Sequence, residues 1–468
     1  MVVLKKKVAI IGAGSAGMNA YRATIEHTDS VVLIESDQYG TMCARTGCMP
    51  SKLLIAAADH AHTATQASRF GIHVSPPAVD GVAVMKRVRE ERDRFVGFVV
   101  DTVESWPVHN RVMGHARFVA PGTLQVGDHT RIEAERIVIA TGSKPHVPSQ
   151  WRETLGDRLI LNEDIFYWND LPASVLVIGS GIIALELAQA LSRLGVRVRV
   201  LSRNERIGPL TDPAVMESAR EIIKNELLFS DNAKDIQFRR EGNQVHASWN
   251  DNGGSQLESF EFVLAATGRT PNLAELDIAN ANLSLDDYGN LPFNRRTTQV
   301  GHSPVFLAGD AQDDFALLHE AADDGRIAGS NAALWPEVIS HERRAPLSIV
   351  FSDPQIAVLG MSHSELIKSN HAFVIGEVNW GGQGRARVAG QNRGLLRVYG
   401  DKSKGTLLGA EMIGPRAENI AHLLAWCVQL QLSAKQILEL PFYHPVFEEG
   451  VRTAIRDLNH NQEISGAQ

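Results

Sequence analysis

A chain of 468 residues is long enough for about three domains of ~150 residues each. With 44% hydrophobic and 21% charged residues and a net charge of −8, it has the composition of a soluble globular protein, with no electrostatic basis for a nucleic acid or an anionic membrane as partner. No segment reaches about 18 uninterrupted apolar residues, which excludes a membrane-spanning helix.

The N-terminal run Met1-Val-Val-Leu-Lys-Lys-Lys-Val8 sets its charges ahead of an apolar stretch too short for a signal peptide, so it reads as a strand and the protein as cytoplasmic. Val8-Ala-Ile-Ile-Gly12-Ala-Gly14-Ser-Ala-Gly17 continues as a buried β-strand, a G-x-G-x-x-G turn and the start of a helix. A second strand, Val31-Val-Leu-Ile34, ends in Glu35, at the ~20-residue offset where a carboxylate meets a ribose hydroxyl. Gly12, Gly14 and Gly17 let the backbone approach a pyrophosphate held at the helix N-terminus. A simple tight turn is the alternative.

Cys43-Ala-Arg-Thr-Gly-Cys48-Met-Pro-Ser-Lys52 follows. Residues five apart on a straight helix rise about 7.5 Å, beyond the roughly 7 Å Cα separation a disulfide tolerates. A redox-active ring therefore requires residues 43 to 47 to bend, with Gly47 permitting the bend and Pro50 suited to a first helical turn. Cys48 then lies near a helix N-terminus, where backbone N–H groups favour a thiolate. A structural disulfide or two ordinary buried cysteines is the competing reading. The only cysteines are Cys43, Cys48 and Cys427, too few for a secreted-type framework, and no cluster near residues 43 to 52 completes a tetrahedral metal site. Cys427, inside Leu423-Leu-Ala-Trp-Cys-Val428, reads as a packed core residue.

Residues 53 to 105 read as helical, with Lys86-Arg-Val-Arg-Glu-Glu-Arg92 as a solvated face. Strand-like pieces around Arg117-Phe-Val119 and Leu124-Gln-Val126 lead to Ile137-Val-Ile-Ala-Thr141-Gly142-Ser143, an apolar strand that stops at a glycine turn. The unit then repeats. Val175-Leu-Val-Ile-Gly179-Ser-Gly181-Ile-Ile-Ala184 is again strand and glycine loop, followed by a helix to Leu194 and a strand, Val196 to Leu201. The position 23 residues after the first glycine is Glu35 in the first copy and Ser202 in the second. Two such loops imply two different dinucleotides. Phe262-Val-Leu-Ala-Ala-Thr267-Gly268-Arg-Thr-Pro-Asn272 echoes Ala140-Thr141-Gly142, and Val305-Phe-Leu-Ala-Gly309-Asp310 ends a strand where the chain returns to complete the first nucleotide domain.

In this order, the glycine loop with Glu35, Cys43-x4-Cys48 with Lys52, the second glycine loop, Ala-Thr-Gly-Arg-Thr-Pro-Asn, Gly309-Asp310 and His444-Pro445-x-x-x-Glu449 resemble the flavoprotein disulfide reductases over essentially the whole chain. Gly47-Cys48-Met49-Pro50-Ser51-Lys52 looks most like the dihydrolipoamide dehydrogenases and the related mercuric reductases. The resemblance implies an α/β fold with two Rossmann-like domains, for FAD and NAD(P), plus a C-terminal α+β dimerisation domain. The expected division is 1–147 and 274–345 for FAD, 148–273 for the nicotinamide nucleotide, and 346–468 for the interface of an obligate homodimer. Three departures stand out. Gly40-Thr41-Met42-Cys43 replaces Gly-Gly-Thr-Cys, so the hydroxyl contact to the FAD phosphates shifts to Thr41 or is lost. Ser202 and Arg203 stand where dihydrolipoamide dehydrogenases usually carry Glu, and the C-terminal cysteine pair of mercuric reductases is absent, which counts against mercury as substrate.

By this resemblance Cys48 faces the flavin, while Cys43, in the bent and more accessible loop, exchanges with substrate. Lys52 shares a helix face with Cys48, sits by the flavin and pairs with Glu186. His444 takes a proton from a substrate thiol in the partner subunit's site and Glu449 orients its ring. Gly12, Gly14, Gly17, Glu35, Thr41, Lys52, Thr141, Gly142, Gly309 and Asp310 are the expected FAD contacts. Gly179, Gly181, Glu186, Ser202, Arg203, Arg206 and Gly268 are those for NAD(P), and the basic corner at Arg203 and Arg206 tilts the choice to NADP(H). The expected activity is electron transfer between NAD(P) and a small dithiol or lipoyl domain through FAD and the Cys43/Cys48 pair. An NADPH-dependent reductase of another small disulfide, a soluble transhydrogenase and a non-catalytic FAD-binding scaffold are the alternatives.

Overall fold

The structure, a computed structural model, describes residues 1–466. The chain divides into two compact units, each assembled from three stretches. The first comprises Met1–Pro50, Lys86–His146 and Gly268–Arg343; the second comprises Ser51–Met85, Val147–Thr267 and the chain from Arg344 onward.

In the first unit the strand Val2–Ile11 has an exposed N-terminal half and a fully buried Val8–Ile11, the pattern of a parallel strand covered on both faces. Parallel strands Val31–Glu35 and Arg111–Met113 extend the sheet on one side, and Thr130–Ile139 pairs on the other. That ten-residue strand divides its far edge. Residues 130–133 run antiparallel to Thr123–Val126, whereas 137–139 run parallel to Val305–Leu307, the returning strand. The helix Ser15–Ile25 lies against Leu318–Leu334, and glycines set the spacing. A Cβ on Gly325 or Gly329 would fall 2.1 or 2.2 Å from the carbonyl oxygens of Ala16 and Ala20.

The second unit holds a five-stranded parallel sheet in the order Leu228–Ser230, Arg197–Leu201, Ser174–Ile178, Phe262–Ala265, Leu159–Ile160. A three-stranded antiparallel meander, Lys234–Phe260, lies in the chain between Leu228–Ser230 and Phe262–Ala265. From Leu347 a five-stranded antiparallel sheet packs against helices Ala417–Gln429 and Glu449–Gly466 over a core that includes Trp380, Leu396, Met412 and Ile420. Cys427 is buried in that core, and burial pushes its thiol pKa up.

Two expectations from the sequence need correction. The 53–105 region is not one helix: Cys48–Gln66 runs into a short 3-10 turn that ends at Gly71 (φ +76°), and a non-helical stretch with Pro76-Pro77 precedes the helix Gly81–Glu104. Left-handed Gly71 and the paired prolines, which restrict the residues before them, outweigh the helical pattern on either side. Nor is the 86–92 charge run wholly solvated. Arg92 is buried and donates through Nε to Asp93 at 2.8 Å. No helix among the described residues is long and apolar enough to cross a membrane.

Candidate active site

The first glycine loop is built by close approach. Gly12 has φ +104°, and a Cβ there would lie 2.3 Å from the Ala140 carbonyl oxygen; one on Gly17 would lie 1.8 Å from that of Gly12. Gly14, the N-cap of Ser15–Ile25, is different: nothing lies within 4 Å of the position its Cβ would take, and no side chain caps the helix. Glu35 accepts from the Ala13 N–H through Oε2 and from the Ser36 N–H through Oε1, both at 2.8 Å, which fixes its carboxylate against the loop. Thr141 Oγ1 is buried without a hydrogen-bond partner. An open helix N-terminus, a fixed carboxylate and an unsatisfied hydroxyl fit a dinucleotide such as FAD.

Next to this loop the strands Ser143–Pro145 and Arg269–Pro271 pair. Ser143 Oγ donates to Asp310 at 2.9 Å and accepts from Arg269 Nε at 2.8 Å. The same guanidinium reaches Met42 Sδ, beside Cys43, at 2.9 Å. Asn272 donates through its side chain to the Thr141 carbonyl and through its backbone to that of Gly142. Gly309 donates to Asp324, whose carboxyl burial pushes up to about 6 against the pull of Arg343.

The cysteines lie on two successive helices, Met42–Arg45 and Cys48–Gln66. Thr41 caps the first: its Oγ1 accepts from the Ala44 N–H at 3.2 Å, leaving the hydroxyl proton to donate elsewhere. Gly47 permits the break through size, since a Cβ would sit 3.0 Å from the Met42 carbonyl oxygen and 3.3 Å from the Cys43 Cα. Pro50 lies in the first turn of the second helix. The expected accessible loop at Cys43 is thus a helical turn, wound by the Thr41 cap. Cys43 is half-buried and Cys48 is the more exposed of the two.

The second helix passes into the second unit, where Lys52 Nζ meets Glu186 Oε2 at 2.8 Å and stands 4.4 Å from the centre of the Phe351 ring. Glu186 is buried, and its other oxygen accepts from the Phe351 N–H at 3.0 Å. Two turns on, Arg193, 4% exposed, binds Glu226 at 2.5 Å and both Asp59 and Asp353 at 3.0 Å. Gln189, between Glu186 and Arg193, donates to Glu226 and pairs with the backbone of Asp353 in both directions. Sequence reasoning missed Asp59, Gln189 and Arg193: their partners come from distant stretches, and no local spacing marks them.

The second glycine loop repeats the first, with Gly179 at φ +127° against the Ala266 carbonyl and Gly181 open as the N-cap of Ile182–Arg193. Ser202 is almost fully buried. Its Oγ bonds the Ser180 hydroxyl at 2.9 Å and donates to the Asn204 carbonyl at 2.6 Å, so it braces the corner from within. Arg206 is tied to its own turn through Nε and the Gly208 carbonyl at 3.1 Å. Arg203 is exposed and makes no hydrogen bond or ion pair among the described residues. Gly268 falls in the first unit, its carbonyl accepting from the His146 N–H.

At the C-terminal end His444 Nδ1 lies 3.0 and 3.1 Å from the two carboxylate oxygens of Glu449. The imidazole is 80% exposed with Nε2 as its uncommitted nitrogen, and the hydrogen bond from His444 holds the Glu449 carboxyl below its ordinary range. This is the arrangement of an oriented acid–base group.

Comparison with known proteins agrees with this construction. Residues 6–325 match the pyridine nucleotide-disulphide oxidoreductase family and residues 347–455 its dimerisation domain. The chain is 30% identical to dihydrolipoyl dehydrogenase 2 of Haloarcula marismortui over 460 residues, 96% of this chain and 95% of that one. It is also 30% identical to the dihydrolipoyl dehydrogenase of Haloferax volcanii over 466 residues, with the same shares covered. Two solved structures share the fold: LpdA from Mycobacterium tuberculosis (TM-score 0.82, 21% identity, 96% of this chain and 99% of that one) and the HOCl-induced flavoprotein disulfide reductase RclA from Escherichia coli (0.80, 22%, 96% and 99%). The family uses FAD and a nicotinamide nucleotide, and its second domain indicates homodimerisation in the family. With both domains matched along most of its length, this chain belongs to the pyridine nucleotide-disulphide oxidoreductases, as an enzyme of the dihydrolipoyl dehydrogenase-like flavoprotein group.

Proposed function

We propose that the chain is an FAD-dependent dithiol–disulfide oxidoreductase that works as a homodimer and relays two electrons between NADP(H) and a small dithiol through Cys43 and Cys48. One observation carries the reading: a single helix begins at Cys48, is bent away from Cys43 at Gly47, and holds Lys52 one turn on in an ion pair with buried Glu186. FAD, contacted by Gly12, Gly14, Gly17, Glu35 and Thr141 in the domain of residues 1–147 and 274–345, supplies two-electron transfer between nicotinamide and sulfur. Residues 148–273 take the nicotinamide nucleotide, and 346–468 form the dimer contact.

In the reducing direction the balance is disulfide + NADPH + H⁺ → dithiol + NADP⁺. The Cys43 thiolate bonds one substrate sulfur and releases the other, which takes its proton from Nε2 of His444 in the second subunit. Cys48 then bonds Cys43 and frees the first substrate sulfur as a thiolate, which takes up the H⁺ of the balance from solvent, closing the Cys43–Cys48 disulfide. Glu449 steadies the imidazolium, and the helix N-terminus favours the Cys48 thiolate. At the coenzyme corner a buried serine replaces the ribose-binding carboxylate and Arg203 stands uncommitted, which favours a 2′-phosphate.

Steady-state assays with lipoamide, glutathione disulfide and no disulfide, each with NADH and NADPH, test the reading. Turnover that needs no disulfide, together with loss of any long-wavelength thiolate–flavin absorbance in Cys43→Ser at every pH, would sink the dithiol chemistry. The coenzyme assignment goes if kcat/KM for NADH equals or exceeds that for NADPH and Arg203→Ala does not selectively weaken NADPH.

A further inference from the structure

From Asn379 to Gly394 the chain carries Arg385, Arg387 and Arg393 and no acidic residue. Several arginines of this acidic chain are drawn into ion pairs, as Arg193 is with Glu226, Arg343 with Asp324 and Arg397 with Glu377. Among the described residues none of these three reaches a carboxylate. The Arg385 guanidinium carbon stands 5.9 Å from the centre of the Phe447 ring, and Arg387 donates to the Gly381 carbonyl at 3.3 Å.

Their position is fixed by one buried amide. Gln383 accepts from the Ala386 N–H at 2.6 Å, capping the short helix Gly384–Val388, and donates to the Val446 carbonyl at 2.9 Å. Val446 and Phe447 belong to the segment that begins with His444. The arginine-bearing turn is therefore fastened to the segment of the oriented imidazole at two points, Gln383–Val446 and Arg385–Phe447. Guanidinium groups held without a counter-charge bind a ligand carboxylate without first having to leave a partner.

We infer that the disulfide substrate carries a carboxylate, recognised by Arg385 and Arg387 beside His444. This deepens the dithiol reading above and rests on it. Lipoate and lipoamide share the dithiolane ring and its chain and differ in a carboxylate against a neutral amide, so their kcat/KM ratio isolates the charge. The holoenzyme favours lipoate by up to about fivefold at low salt, and the advantage shrinks toward unity as ionic strength rises. The Arg385→Gln/Arg387→Gln double variant lowers the ratio; should that variant fold poorly, the salt series on the unaltered enzyme still decides. A ratio at or below one at low salt, or one unmoved in a folded, flavin-loaded double variant, overturns the inference and leaves dithiol chemistry standing. If neither disulfide is turned over while NADPH still reduces the bound flavin, the dithiol reading fails and the inference falls with it.

Discussion

Arg193→Met removes the centre of the buried network in the second unit while keeping most of the side-chain volume. Asp59 and Asp353 are about half exposed, at 51% and 44%, so water compensates most of their lost pairing. Glu226 is 18% exposed and keeps only the Gln189 amide among its present bonds. Stranding a buried charge costs 3–5 kcal/mol, and the surviving amide bond puts this case at the low end, about 3 kcal/mol. Against an ordinary domain stability of about 5–15 kcal/mol, that is a large fraction. Urea titration of the holoenzyme, followed by tryptophan fluorescence and far-UV circular dichroism, reads the loss as an earlier midpoint of the same transition. Arg193→Met/Glu226→Leu removes both charges and recovers at least half of the loss. A single variant within about 1 kcal/mol of the parent, or a double variant no better than the single, would refute the argument.

Three further outcomes are expected. His444→Ala slows dithiol oxidation by on the order of 10²–10⁴ while reduction by the nicotinamide nucleotide persists; well-folded mixed dimers of His444→Ala and Cys43→Ser chains that show no activity would argue against a site shared between subunits. Gly325→Ala places a Cβ 2.1 Å from the Ala16 carbonyl oxygen, so the helix behind the first glycine loop shifts and FAD content after gel filtration falls; full retention contradicts this. Asp324 has its carboxyl raised from 3.8 to about 6 by burial, so its stabilising contribution is complete below about pH 4 and is lost as pH rises through about 6, by at most about 3 kcal/mol. Asp324→Asn does not titrate, so its stability relative to the parent climbs between pH 4.5 and 7.5 in denaturation curves; a constant difference rejects the assignment.

The parts of the site legible in the sequence are those whose chemistry demands local spacing. Gly12, Gly17 and Gly179 must be glycine because a carbonyl oxygen occupies the place of a Cβ, and Glu35 follows from the length of one strand–helix–strand passage. The turn at Cys43 was not legible, because Met42–Arg45 is four residues long and too short to show a period. Arg92 was hidden among like residues in a charge run, where nothing local separates the one buried guanidinium from the solvated ones. The break after Gln66 was written in Gly71 and Pro76-Pro77, which carry more weight than the alanine-rich pattern before them.

The network around Arg193 was illegible for a different reason, and the same reason explains its use. Lys52 and Asp59 are seven residues apart on one helix, and their partners Glu186 and Arg193 are seven apart on another. Seven residues are about two turns, so both pairs form together only if the helices run side by side in the same direction at one register. A slip of one residue on either helix rotates its side chains by about 100° and breaks both pairs at once. The backbone of residues 351–353 closes the arrangement from a third stretch, through Phe351 to Glu186 and Asp353 to Gln189. The helix whose N-cap is the open Gly181 thus also fixes, along its buried side, the height of Lys52 one turn after Cys48. Either pair alone would tolerate a shift along the helix axis; the two together do not.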